Sequence, residues 1–459
     1  MALKHALGPW QYFSFSFGTV VGVGWIVLLG DWLQRGGPAG AIIGFALGGL
    51  MMALIGLCYA EAAGMFPVSG GEMAFALEGF GRRAGFGTGW ALVLVFIAAA
   101  AYCGSSLAWI LDYLIPGIRG PALYSFRGSE IHAGSLAVAL GAIGVFTWVN
   151  LQGVRSSGRF QDWFTYSKII IALVFIVAGI AGGSTANLQP LFSTVEGRTP
   201  IGGVLAVLAL VPWFLGGFNA VPQVMEERAE GVSLKVLGRV IVGSILAGAL
   251  FYCLVIFSGS MPMPWTELVT RDLPAAAAFK ASFDSEWLAR LVLITGIFGV
   301  STVGNGSVVA ASRTLFAMSR AGLIGPGLSQ TDPVSGAPAR ATMFVGLVAA
   351  LGAMLGRQGI APIVAVGAIG MSLGYLVTSA TILKFRRTEP DRPRPYKIPL
   401  GTLVALVATL ASTLLILAAL RDPWTTSGGK VPLEWMLMAA WGVIGAGLYL
   451  SARSKVVKA

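Results

Sequence analysis

Twelve stretches of this chain are apolar over close to twenty residues, and that length limits its possible folds more than any other feature. They cover residues 11–35, 39–64, 86–115, 133–152, 161–182, 201–225, 236–260, 287–318, 340–357, 361–384, 401–420 and 433–452. An α-helix rises about 1.5 Å per residue, so about 20 residues cross roughly 30 Å of hydrocarbon. None of the stretches alternates with period two, which separates them from barrel strands. Hydrophobic residues make up 56% of the 459 and charged residues 11%, too little polar surface for a soluble fold. The chain reads as an all-α polytopic membrane protein with twelve transmembrane helices, forming a single transmembrane domain over residues 1–459. No small-residue cleavage site follows the first stretch, so it is read as a retained helix rather than a signal peptide.

Cytoplasmic connections carry an excess of Lys and Arg, so counting those residues in alternate connections tests orientation. With both termini cytoplasmic, 21 of the 31 basic residues fall on that side, from Lys4 through Arg386, Arg387, Arg392 and Arg394 to Lys458. The 20 acidic residues divide evenly, which places the whole net charge of +11 on one face. The basic balance is therefore topology, expected of a multi-pass protein of the cell membrane, and implies no nucleic-acid partner.

Two of the stretches are interrupted by glycine near their middles: GTVVGVGW from Gly18 to Trp25, and VPWFLGGFNAVP from Val211 to Pro222. Backbone that leaves the helix inside lipid strands N–H and C=O groups at several kcal/mol each, unless the break lines a cavity enclosed by protein. Five spans separate the starts of segments 1 and 6, an odd number, so the two enter the membrane in opposite directions. That is the arithmetic of an inverted repeat: segments 1–5 (residues 11–182), segments 6–10 (201–384), and an appended pair, 11 and 12 (401–452).

Each break exposes donors at the start of one half-helix and acceptors at the end of the other, which suits a zwitterion such as an amino acid. Gly22 and Gly24 allow close approach of the backbone to a carboxylate, and Gly216 and Gly217 present carbonyls to an ammonium group. Glycine also serves helix packing, the competing account for any one of these positions. Lys168 lies about two turns into the fifth stretch. Either it snorkels to the interface, or it is buried as a fixed cation or a proton carrier.

Five motifs together resemble the amino acid, polyamine and organocation permeases. They are GTVVGVGW, GVRSSGRFQDWFTYSK ending at Lys168, WFLGGFNAVPQVMEE from Trp213, ASRTLFAMSRAGLIG from Ala311, and RPRPYKIPLG from Arg392. The resemblance runs in order along nearly the whole chain and implies alternating access on a LeuT-like fold. Carried over by position, it implies that Val21, Gly22, Val23 and Gly24 hold a substrate carboxylate through backbone. Trp213, Phe214, Gly216 and Gly217 would then cradle the amino group, with Trp213 as an aromatic gate. It also implies that Lys168 replaces a bound sodium ion, tied to carbonyls of helix 1 and to hydroxyls such as Ser301 and Thr302. Three residues depart from the family pattern: Val23, where a small or hydroxyl residue is usual, Trp25, and Asn219.

Neither break contains a carboxylate, none lying between Met1 and Leu29 or between Ile201 and Met225, and a second cationic group on the substrate would need one once desolvated. A neutral amino acid is the expected substrate, moved with protons or by exchange and without sodium; an organic amine or polyamine is the alternative. Tyr102, Ser105 and Asn305 are further pocket candidates whose competing role is interhelical hydrogen bonding. Glu226, Glu227, Arg228 and Glu230 read as a solvated face or gate network. His5 and His132 both lie outside the spans, and no phosphate-binding loop is present, so neither an enzyme, a cofactor, a metal centre nor an ATP-driven pump is expected.

Overall fold

The computed structural model describes residues 3–126, 129–197, 199–271, 274–283, 285–426 and 431–456. Lys458, part of the charge asymmetry, lies outside them. The chain runs through α1 (Pro9–Val20), α2 (Gly24–Val27), α3 (Leu29–Met65), α4 (Gly71–Phe80) and α5 (Arg82–Leu114) to a hairpin, β1 (Ala122–Phe126) and β2 (Ser129–His132). It continues with α6 (Ala133–Leu151), α7 (Val154–Gly182), α8 (Pro200–Leu208), α9 (Val211–Phe214), α10 (Ala220–Gln223) and α11 (Leu234–Gly259). The last elements are α12 (Trp265–Leu268), α13 (Pro274–Phe283), α14 (Glu286–Arg320), α15 (Ala339–Ala353), α16 (Gly356–Thr388), α17 (Thr402–Thr426) and α18 (Leu433–Val456).

This is a predominantly helical, polytopic membrane protein. Ten helical stretches of the described residues are long and apolar enough to cross a membrane. The two expected segments outside that ten are 340–357, whose helix α15 is shorter, and 11–35, which is divided between α1, α2 and the start of α3. The all-α expectation needs one correction. Between α5 and α6, β1 and β2 pair antiparallel, with Tyr124 opposite Ile131 and Phe126 opposite Ser129. A long connection outside the spans must satisfy its own backbone groups, and a hairpin does so locally.

The breaks have local causes. Pro9 opens α1 at its first turn, where the missing N–H costs nothing. The helix stops at Val21, which takes φ −93° and ψ 89°, and resumes as α2 only at Gly24. Inside α3, Gly37 adopts φ 67° and ψ 175° just before Pro38, so this long stretch is two helices joined at a sharp turn. The second interrupted stretch is a series of short pieces: α8, α9, a 3-10 turn Gly216–Asn219 and α10.

Glycines let the spans approach closely. A Cβ at Gly56 would lie 2.3 Å from Ile245 Cδ1, and one at Gly49 would lie 2.4 Å from Ala249 Cβ, so α3 and α11 meet through small residues. The breaks themselves are enclosed, with Val21, Trp25, Val211 and Phe218 fully buried, while α17 and α18 are peripheral: 22% and 11% of their apolar windows are buried, against 78% for α14.

Candidate functional site

The two breaks touch. Thr19 Oγ1 donates to Gly217 O at 2.6 Å, and a Cβ on Gly217 would lie 2.3 Å from the Thr19 carbonyl carbon. Gly24 packs under the Phe214 ring, where a Cβ would meet Cε1 at 2.6 Å. Around Gly22 there is more space, the nearest atom to such a Cβ being Val303 Cγ2 at 3.4 Å.

Beside this contact lies a cavity of about 170 Å³. An engineered cavity of about 150 Å³ holds benzene, so this one has room for a small organic molecule. Of the residues singled out in the sequence, Gly22, Val23, Gly24, Tyr102, Trp213, Phe214, Gly217 and Asn219 line it. The rest of the wall is mainly Val95, Phe96, Val300, Val303 and Met371, with Thr19, Tyr252 and Ser307 as further polar groups. No charged side chain lines the cavity among the described residues. Trp213, 42% exposed, stands at its rim.

Five of the singled-out residues lie elsewhere. Val21 and Gly216 are backbone neighbours of the cavity: the Val21 carbonyl faces Lys168, and Gly216 packs under the Tyr375 hydroxyl. Ser105 lies beyond Tyr102, in two further hollows that continue past Trp109 to Asp112, Arg119, Glu130 and His132. Asn305 belongs to an interhelical network, accepting from Asn150 Nδ2 at 3.0 Å and Ser157 Oγ at 3.1 Å and donating to Gln161 Oε1 at 2.9 Å. Trp25 neither crowds the cavity nor faces lipid. It is fully buried edge-on against Phe175 and Phe251, and its Nε1 has no hydrogen-bond partner among the described residues.

Lys168 does not snorkel. Its Nζ donates to Gly18 O at 2.8 Å, Val21 O at 2.5 Å and Thr302 Oγ1 at 2.9 Å, so all three ammonium protons have acceptors. Thr302 in turn donates to Gly18 O at 2.7 Å. Ser301 is buried nearby, but among the described residues Lys168 bonds to Thr302 and not to it.

The face carrying the N-terminus is sealed. Ala6 and Leu7 donate their amides to Glu227 O at 2.9 and 3.0 Å, Ala229 N returns a bond to Leu7 O at 2.8 Å, and Tyr12 Oη donates to Val224 O at 2.8 Å. Glu227 is fully buried in a bidentate pair with Arg313, and Glu226 pairs with Arg320. Glu226 and Glu227 are thus ion-paired inside the protein and not a solvated face, while Glu230 at the end of the run is exposed. Burial raises the Glu226 carboxyl, but the Arg320 guanidinium and the Ser69 amide outweigh that and hold it below its usual range.

One carboxylate near the site escaped the sequence reading. Glu72, from α4, is fully buried, and its Oε1 accepts from Asn219 Nδ2 at 3.0 Å, directly behind the cavity wall. The motif SGGE could have flagged it. Gly70 and Gly71 take φ of 102° and 44°, which turns the chain inward just before Glu72.

Comparison with known proteins agrees with this architecture. Residues 7–445 match the model of a family described as amino acid permease. The chain is 28% identical to the branched-chain amino acid permease of Bacillus subtilis (strain 168), across 99% of this chain and 95% of that protein. It is 27% identical to a methylthioribose transporter of the same organism, over 89% of this chain and 87% of that one. Against the large neutral amino acids transporter small subunit 2 of Oryctolagus cuniculus it is 29% identical, over 87% of this chain and 73% of the relative. With an uncharged cavity at the meeting of two broken membrane helices and a family match over nearly its whole length, the chain belongs to the amino acid permease family: it is a multi-pass membrane transporter and not an enzyme.

Proposed function

We infer that this transporter carries neutral amino acids with an apolar side chain by sodium-independent alternating access. The observation that carries the reading is the Lys168 ammonium, which bridges the Gly18 and Val21 carbonyls at the first break to Thr302 on α14. A bound sodium ion would need the same oxygen acceptors, and a tethered cation already occupies them. Substrate class follows from the wall. Its aliphatic and aromatic residues favour an apolar side chain, and with no lining carboxylate a second cationic group would be desolvated without a partner. This weighs against the amine or polyamine alternative. The similarity to a branched-chain amino acid permease points the same way.

On this reading Gly22 to Gly24 offer backbone donors to the substrate carboxylate, and Gly217, Phe214 and Asn219 surround its amino group. The twelve-span layout with a five-plus-five inverted repeat accounts for the paired breaks. Both termini face the cytoplasm, so the sealed face is the inner one and the hollows past Ser105 lead outward. The conformation is outward-facing.

Counterflow of radiolabelled leucine in proteoliposomes tests the reading. Uptake should saturate, be competed by unlabelled leucine, isoleucine or valine, and be indifferent to a sodium gradient at fixed membrane potential. Stimulation by sodium would defeat the mechanism, and competition by arginine or putrescine in place of leucine would defeat the substrate class.

A further inference from the structure

Glu72 is a buried carboxyl that the reading above leaves without a task. It sits on α4, the short helix between the α3 and α5 spans, and the groups facing it come from three directions. Tyr59 Oη on α3 donates to Oε1 at 3.0 Å, and Asn219 Nδ2 donates to the same oxygen at 3.0 Å. Gln223 Nε2 donates to Oε2 at 2.5 Å, and its own amide oxygen is held by Thr314 Oγ1 of α14 at 2.9 Å. From α16, Tyr375 faces the carboxyl electrostatically, stacked on Phe218 and edge-on to Tyr59. No Lys, Arg or His forms an ion pair with Glu72 among the described residues, unlike Glu61, Glu226 and Glu227, each of which has an arginine.

The donors to the carboxylate come from two separate parts of the chain. Tyr59 and Glu72 belong to α3 and α4, whereas Asn219 and Gln223 belong to the second interrupted stretch, and Asn219 also lines the cavity. On the alternating-access reading, a displacement of residues 216–223 relative to α4 takes away two of the three side-chain donors to the carboxylate. Hydrogen bonds to the anion favour the anion, so their loss in a buried site favours the acid. We propose that Glu72 is the proton-binding site of transport, in which a proton adds to a Glu72 carboxylate oxygen when the Asn219–Gln223 segment withdraws and leaves when that segment returns. Because Asn219 touches both Glu72 and the cavity, substrate occupancy and proton occupancy bias the same element, and their coupling is reciprocal. Burial already pushes the Glu72 carboxyl up to about 7, against the hydrogen bonds from its own backbone amide and from Tyr59, Asn219 and Gln223. The site therefore exchanges its proton near neutral pH. Lys168 bonds to Gly18, Val21 and Thr302 and makes no contact with Glu72 among the described residues.

The inference rests on the transport reading, and one assay separates the two. Full-length protein in proteoliposomes loaded with a pH-sensitive dye is given a gradient of leucine, and the number of protons moved per leucine is measured for wild type and Glu72→Gln. The expected result is that the variant still moves leucine but carries at least about tenfold fewer protons per leucine. An unchanged ratio in Glu72→Gln, or leucine transport without protons in wild type, overturns the inference and leaves the transport reading standing. No leucine movement in wild type overturns both. Tyr59→Phe decides if Glu72→Gln is not recovered. It keeps the ring and removes one donor to the anion, so the pH midpoint of leucine-driven proton uptake should move up; an unmoved midpoint counts against Glu72.

Discussion

Arg313 lays its guanidinium flat against Glu227, with Nε on Oε2 and Nη2 on Oε1, both at 3.0 Å and both side chains fully buried. Glu227 also receives the Ala6 and Leu7 amides on its carbonyl, so one residue ties α14 to the N-terminal segment. A buried pair of this kind costs desolvation to form, but removing one partner strands a charge, at about 3–5 kcal/mol. Arg313→Leu should therefore lower thermal stability sharply and open the sealed face. Arg313→Lys should rescue little, since a single ammonium cannot reproduce the two-pronged geometry. Thermal unfolding in detergent, together with leucine uptake, checks both variants; full rescue by lysine would show that charge alone matters.

Removing the Lys168 ammonium leaves the Val21 carbonyl at the first break without its donor and the Gly18 carbonyl held by Thr302 alone. Lys168→Ala should reduce leucine uptake by about tenfold or more while the protein still inserts in the membrane. Membrane fractionation alongside uptake distinguishes this from loss of the protein, and wild-type rates in the variant would remove Lys168 from the mechanism.

Glycine positions in the breaks should differ in tolerance. Gly217→Ala drives a methyl group into the Thr19 backbone and should cost about 1–3 kcal/mol with loss of uptake, because main chain cannot move aside as a side-chain tip can. Gly22→Ala meets only Val303 at 3.4 Å, so its expected effect is on leucine affinity through the filled cavity and not on stability. Melting temperature and the concentration dependence of uptake, measured on both, test the contrast.

Stability should depend on pH through two carboxyls with opposite signs. Glu72 has its folded value raised, so the folded state holds a proton that the unfolded chain releases between 4.5 and about 7, and stability falls as pH rises through that window. Glu226 has its value lowered, so its contribution is present at neutral pH and is lost as pH falls through the acid range. Melting curves between pH 5 and pH 8 should show a downward slope in wild type that Glu72→Gln removes. An identical slope in the variant would assign it to another group.

The spans, the two breaks and the position of Lys168 inside a span were legible because each has a local cause: the thickness of hydrocarbon sets helix length, and unpaired backbone in lipid is too costly to occur by chance. What each side chain faces was not legible. Trp25 sits in the broken motif yet turns into the Phe175–Phe251 cluster, and Asn305 shares α14 with Thr302 yet joins Asn150 and Gln161. The direction a residue takes depends on how its helix is rotated about its axis. In a soluble protein a polar stripe reveals that rotation, but here the lipid-facing and protein-facing sides are both apolar.

Sequence by itself thus determined a multi-span helical protein broken at Gly18–Trp25 and Val211–Pro222, since those features follow from composition and from the chain's own backbone. Tertiary structure alone decided that Lys168 caps the first break, that Arg313 reaches Glu227, and that Glu72 lies against Asn219, 147 positions away. Each of these contacts joins groups brought together only when separate helices pack. The energy that fixes them, the cost of burying a charge or polar group without a partner, exists only once packing has excluded water and lipid from around it.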